Sequence, residues 1–148
     1  MGVGNMLIGT YEVKLDSKNR IYIPAHFKNQ LYKELMATFF DEDLIIVSER
    51  HNFKYEDVLL GLNKEQRTSL VMEHIFNNTY PIDLDNQGRL LITNKNVSVK
   101  TNIKEKAYIV GFGKIMKIYS EKAYLIEYKK RLEEIQRLEV GESLKRLP

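Results

Sequence analysis

Cysteine is absent from the 148-residue chain, which excludes disulfides, thiolate nucleophiles and cysteine-based zinc sites. That absence suits a reducing compartment. Long hydrophobic runs are absent too: none approaches the roughly 18–20 residues that span a bilayer, and no basic stretch followed by an apolar one opens the chain. No membrane association is expected, and a cytoplasmic location is. A large excess of one charge is also lacking. Lysine and arginine number 23 against 20 aspartates and glutamates, a formal net charge of +3. Such a total permits an acidic partner without demanding one, so local placement of charge has to carry that argument.

The patterns that mark catalytic and ligand sites are missing as well. His26, His51 and His74 show no ligand spacing such as His-x-x-x-His. Gly111-Phe112-Gly113-Lys114 superficially suggests a phosphate loop, but it lacks the preceding glycine and has Ile115 where Ser or Thr should coordinate magnesium. A hairpin turn is the better reading. Ser17 has no Gly-x-Ser-x-Gly context. Carboxylates are plentiful, yet no pair sits in the apolar setting that makes an acid–base couple. The chain is expected to be no enzyme, with no catalytic residue, no cofactor and no metal.

What it does contain is a copy of itself. With Tyr11 aligned on Tyr80, an offset of 69 residues (11 to 80), Tyr11 to Pro24 repeats as Tyr80 to Thr93. Tyr, Leu, Asp, Arg and the second Ile are identical, and other apolar positions match in kind. Tyr11, Val13 and Leu15 alternate with polar residues, as do Tyr80, Ile82 and Leu84, which predicts half-buried strands. Ile21 and Ile23, like Leu90 and Ile92, continue the apolar face on a second strand. Between the strands, Asp16 and Asp85 can fold their carboxylates onto backbone N–H groups two residues on. Asn19 and Gly88 are the residue types that most readily accept positive φ, so one left-handed turn position is served by two different side chains. Arg20 and Arg89 follow at once. By alternation they point away from the buried isoleucines and leucines, toward solvent or a partner. A structural Asp–Arg brace is the competing reading, because exposed ion pairs at this spacing are common and weak.

Elsewhere, Pro24 opens an expected helix with Phe27, Leu31 and Leu35 at four-residue spacing. Leu44 to Val47 reads as a buried strand. Asn63 with Gln66 resembles a capping box leading a helix that carries Leu70, Met72, Ile75 and Phe76. Ala107 to Val110 and Lys114 to Tyr119 read as paired strands flanking a turn at Gly111-Phe112-Gly113. Ser120 caps a long helix with Leu125, Tyr128, Leu132 and Ile135 as its apolar stripe, Glu127→Arg131 and Glu133→Arg137 as its ion pairs, and Gly141 as its end. The stripe packs on its own domain or contacts another subunit, and the spacing leaves both open. Residues 142–148 are expected to fray. The organisation that follows is a flexible leader (1–5), a first repeat (6–76), a second repeat (77–128) and a helical extension with a tail (129–148).

The run Leu7 to Tyr11, then Leu15-Asp16-Ser17-Lys18-Asn19-Arg20-Ile21-Tyr22-Ile23-Pro24-Ala25-His26-Phe27, joined to Leu84 to Leu90, closely resembles the MraZ family. That family carries two Asp-x-x-x-Arg repeats, the first followed by an Ile-Pro-Ala helix entry. The resemblance implies an α+β fold of two tandem βαβ-type repeats, forming an AbrB-like swapped-hairpin, double-ψ-like β-barrel with flanking helices. It implies a homo-oligomer, a ring of subunits, bound to double-stranded DNA at direct repeats upstream of the operon for cell division and cell-wall synthesis, and hence a nucleoid-associated protein. The family's DNA-reading arginines map onto Arg20 and Arg89. Lys14, Lys18 and Lys28 crowd the first turn and helix entry, so arginine could bridge a guanine while lysines hold phosphates. Asn19 and Asn86 are counted with them, and Asp16, Asp85 and Gly88 are assigned to the turns themselves. Two other readings compete with it: an antitoxin-like module of the same superfamily binding a toxin protein, and an enzyme on a double-ψ barrel that cleaves itself at Gly-Ser. The chain has no Gly-Ser dipeptide.

Overall fold

Among the described residues eight strands form because short β-branched and aromatic runs alternate between two faces, and each finds a partner in the opposite half of the chain. In the computed structural model the described residues are 6–31, 34–50, 62–93 and 100–148. The expected leader and His51 lie outside them. The elements run β1 (Thr10–Lys14), β2 (Arg20–Tyr22), α1 (Ala25–Lys28), β3 (Leu35–Asp41), β4 (Leu44–Glu49), α2 (Ser69–Asn77), β5 (Thr79–Ile82), β6 (Arg89–Leu91), β7 (Lys106–Phe112), β8 (Ile115–Ser120), α3 (Glu121–Arg137) and α4 (Val140–Lys145). Six strands make one sheet in the order β1-β7-β8-β4-β3-β5, and β2 pairs with β6 as a separate ribbon.

The order reads as its own reverse once each first-half strand is exchanged for its second-half counterpart. β5 follows β1 at an offset of 69 (10 to 79), and β8 follows β4 at 71 (44 to 115, 49 to 120). The central β4–β8 pairing is symmetric about Ile46↔Lys117, because Leu44↔Tyr119 and Ser48↔Ile115 exchange under the same offset. One irregularity departs from this pseudo-symmetry. The β3–β4 register shifts between Phe39 and Asp41, so Phe40 is an extra bulged residue, and its carbonyl accepts from His74 Nε2 of α2.

One face of the sheet holds the core. Ala37, Ile45, Val47, Ala107, Ile109, Met116 and Ile118 pack there against Ile21, Ile23, Leu90 and Ile92 of the ribbon and Phe27 of α1. Gly111 lies within β7 because the backbone of Leu7 and Ile8 crosses directly over it. An added Cβ would sit 2.3 Å from the Leu7 carbonyl carbon.

Several expectations are corrected. The fold is α+β, but the described sheet is open, not a closed barrel: β1 and β5 occupy opposite edges, and the ribbon, not edge pairing, covers the core face. The described parts of the repeats are not βαβ units, since every strand pairing among the described residues is antiparallel and βαβ requires parallel strands. The helix after Pro24 has four residues, and Leu35 belongs to β3. Spacing by four fits a strand's period of two as well as a helix's period of 3.6. The Asn63–Gln66 capping box forms, but on a 3₁₀ turn at Lys64–Gln66; α2 is capped by Thr68 Oγ1 accepting from Val71 N at 3.3 Å, and it buries only Ile75. The second hairpin turns at Gly113-Lys114, with Gly111 and Phe112 still in the ladder.

At the C-terminal end, Ser120 Oγ caps α3 by accepting from Ala123 N at 3.1 Å, and donates to Asp43 at 2.7 Å. Glu139, with φ 55°, takes the left-handed position that ends the helix, and Gly141 lies inside α4. Glu142 to Lys145 are therefore helical, not frayed. The expected Glu127–Arg131 and Glu133–Arg137 pairs give way to Glu127–Lys130 and Glu134–Arg137, because Arg131 lies over the Tyr124 and Tyr128 rings at 5.8 and 6.0 Å. No residue of α3 is buried; it is held to the sheet by Tyr124, stacked on Tyr108 at 4.2 Å and edge-on to Tyr119, and by the Glu121–Lys106 ion pair.

Candidate functional site

The ribbon brings the two Asp-x-x-x-Arg turns, 69 residues apart in sequence (16 to 85), to opposite ends of a three-rung ladder, Arg20↔Leu91, Ile21↔Leu90 and Tyr22↔Arg89. Each turn is closed locally. Asp16 N donates to the Arg20 carbonyl at 2.9 Å and Asn19 N to the Asp16 carbonyl at 3.1 Å; Asp85 N and Gly88 N do the same at 3.0 and 2.9 Å. Asp16 Oδ1 accepts from Lys18 N and Arg20 N, both at 2.9 Å, and Asp85 Oδ1 from Gln87 N and Arg89 N at 3.0 and 2.9 Å. The left-handed residues, Asn19 at φ 59° and Gly88 at φ 77°, aim their carbonyls across the ribbon. There they accept from Ile92 N and Ile23 N at 3.1 and 3.0 Å. Positive φ is thus demanded twice, by the turn and by the contact with the other half.

Alternation places the arginines as expected, opposite the buried Ile21 and Leu90. The guanidinium groups are nevertheless tied down. Arg20 Nε donates to Asp16 Oδ2 at 2.8 Å and Arg89 Nε to Asp85 Oδ2 at 2.6 Å. Nη1 of each reaches toward the other turn's aspartate, at 3.9 Å for Arg20–Asp85 and 3.8 Å for Arg89–Asp16. The brace and the outward placement therefore coexist: Arg20 keeps 25% and Arg89 17% of its side-chain surface. Partial burial alone would raise the two carboxyl groups. Hydrogen bonds from the arginine backbone and guanidinium, and from Lys18 N or Gln87 N, outweigh it and hold both below the usual carboxylate range. The bond from Asp85 in turn raises Arg89, which stays charged.

Two guanidinium groups and two carboxylates balance, so positive charge at the site comes from Lys18 and Lys28; Lys14 stands further off, on the face of β1 that carries Glu12. Lys14, Lys18 and Lys28 are all exposed, as are Asn19 and Asn86. Lys28 extends from α1 of the first half over the second turn, where a Cβ on Gly88 would meet its Cδ and Cε at 2.7 Å. Its stem covers Gly88, which is buried. Sequence reasoning missed Tyr22. It is 52% exposed, lies under the Arg89 guanidinium at 5.7 Å, and donates to Gln87 Oε1 at 3.3 Å. Its place one residue out of phase with Ile21 and Ile23 was the available signal.

A family model described as "MraZ protein, putative antitoxin-like" matches residues 6–68. The chain is 34% identical over 121 residues to a protein of Mycoplasma mycoides subsp. mycoides SC named transcriptional regulator MraZ, covering 80% of this chain and 90% of that one. The like-named protein of Mycoplasma capricolum subsp. capricolum is 35% identical over 137 residues, covering 87% and 98%. That of Mesoplasma florum is 29% identical over 122 residues, covering 80% and 83%.

Proposed function

The chain belongs to the MraZ family, and from that premise we propose that it is a sequence-specific DNA-binding transcriptional regulator. Its targets would be direct repeats upstream of the division and cell-wall operon, and its place the cytoplasm, on the nucleoid. The carrying observation is the pairing of β2 with β6, which sets two braced arginines on one surface, with exposed Lys18 in the first turn and Lys28 over the second. Asp16 and Asp85 hold the guanidinium groups in place before any ligand arrives, as recognition requires. In this reading Arg20 and Arg89 read base edges, Lys14, Lys18 and Lys28 hold phosphates, and Asn19 and Asn86 add polar contacts. No residue acts as a catalyst.

Repeats 6–76 and 77–128 form one interlocked swapped-hairpin unit of the AbrB kind, and the extension 129–148 serves assembly. Several copies in a closed ring turn weak single contacts into strong binding to repeated boxes. The apolar stripe of α3, with Leu125, Leu132 and Ile135 all about half exposed, suits that assembly. Among the described residues no helix is long and apolar enough to cross a membrane.

Fluorescence anisotropy on a double-stranded direct repeat tests the reading. Arg20→Ala should weaken specific binding by roughly 1–3 kcal/mol while circular dichroism stays native. Unchanged affinity, or affinity indifferent to salt, overturns it. The antitoxin-like description of the family model favours one alternative, a module binding a toxin protein. A stoichiometric protein partner in a pulldown, with no DNA binding, would select it.

A further inference from the structure

The sheet face turned away from the ribbon carries α2 at one end and α3 at the other. Between them a cavity of about 290 Å³ opens over β4 and β8. Leu44 and Ile46 floor it, and Phe40 and Ile75 form an apolar wall. At the centre of that floor the pseudo-symmetry of the fold is broken. Ile46 pairs with Lys117, and the two occupy equivalent positions in the two halves (46 to 117). One half places a branched aliphatic there, and the other places an ammonium group.

Lys117 is half-buried, with Nζ over the Phe112 ring at 4.5 Å. Among the described residues no carboxylate lies within ion-pair distance of it and no hydrogen bond to Nζ is formed. Glu127 of α3 lines the cavity, but its carboxylate is paired with Lys130 at 3.8 Å. Burial pushes the Lys117 ammonium below its ordinary range; Glu127 opposes that shift and Arg131 adds to it. The Phe112 ring and the more distant Glu127 offset only part of the desolvation cost of this cation, which has no ion-pair partner among the described residues, and an anion that brings its own apolar surface would relieve the rest.

We propose that this recess is a binding site for a small amphipathic carboxylate, its apolar part on Leu44, Ile46, Phe40 and Ile75 and its charged end on Lys117. Tyr119, on the same face of β8 two residues along, also lines the recess. The volume lies at the small end of ligand pockets, which suits a short chain or a single ring. The site is independent of the regulator reading, since it lies on the opposite face of the sheet from the arginine turns.

Titration calorimetry of the full chain with sodium octanoate and with 1-octanol tests the site. Octanoate should bind saturably, one per chain, about tenfold more tightly than the uncharged alcohol. Lys117→Met should erase that preference and keep the octanol affinity, with native circular dichroism. Glu127→Gln, on the exposed helix, should strengthen octanoate severalfold and leave octanol unchanged, so the electrostatic assignment stands on a second variant if Lys117→Met does not fold. Equal binding of acid and alcohol, a preference that survives in the folded Lys117→Met protein, or no change in Glu127→Gln overturns the proposal. So does the absence of saturable binding, the result expected if a second copy or another segment of protein fills the recess.

Discussion

The turn at Asp16–Arg20 and the turn at Asp85–Arg89 are closed by the same five hydrogen bonds, yet they sit in different electrostatic surroundings. Lys14 and Lys18 flank the first turn where the second has Asp83 and Gln87, whereas Lys28 of the first half, whose own counterpart is Val97, lies over the second turn. Geometry is kept where each half must bond to the other across the ribbon. Charge is free to diverge, because an exposed side chain beside the turn takes no part in those bonds. The repeat therefore separates what builds the scaffold from what a partner would read.

The sharpest way to break the comparison is to hollow out the ribbon at matched core positions. Ile21→Ala and Leu90→Ala (21 to 90) should each cost about 2–5 kcal/mol in chemical denaturation, since both side chains are buried in one shared core. A large disparity between them would show that the halves do not carry the core equally. The left-handed positions come next. Gly88→Ala should cost about 1–2 kcal/mol for its positive φ, with a further loss as Lys28 is displaced, while Asn19→Gly should change stability by about 0.5 kcal/mol or less. A Gly88→Ala cost that is unchanged in a Lys28→Ala background would refute the role given to Lys28.

Charge exchange sharpens the comparison from the other side. Lys18→Gln should lower the slope of log affinity for DNA against log salt by about 0.9, and Gln87→Lys should raise it by a similar amount if both turns face the duplex. A response from Lys18 alone would assign binding to the first half. The smallest effect is on acid stability. Both turn aspartates titrate lower in the folded chain than in the unfolded one, so their stabilisation is complete above the ordinary carboxylate value of about 3.9 and is lost as pH falls through the folded value. Asp16→Asn with Asp85→Asn should flatten the acid side of a stability–pH curve below about pH 4, and should do so equally from either turn.

Both turns were legible in the chain itself, down to the left-handed position shared by Asn19 and Gly88. Strict alternation through Ile21 and Leu90 also disclosed the arginine face. The tie of each guanidinium to its aspartate was one of two open readings, because a four-residue spacing does not say which rotamer the arginine adopts. Leu35 misled, since its spacing from Leu31 suits strand and helix alike and only pairing with Glu49 and Ile82 decides between them. Gly141 misled for a related reason: Glu139 holds the left-handed turn, a position that glycine prefers without owning. Tyr22 stood in plain alternation, but its use under Arg89 depends on a strand from the other half.

Strand character, turn chemistry and the duplication are local properties, set by side-chain alternation and by which residues tolerate positive φ. They were determined by the sequence alone. The meeting of β2 with β6, the open sheet in place of a closed barrel, the crossing of Leu7 over Gly111 and the recess around Lys117 depend on contacts between residues far apart in the chain. No local preference encodes those, because they are chosen by how two half-buried repeats can bury their apolar faces together.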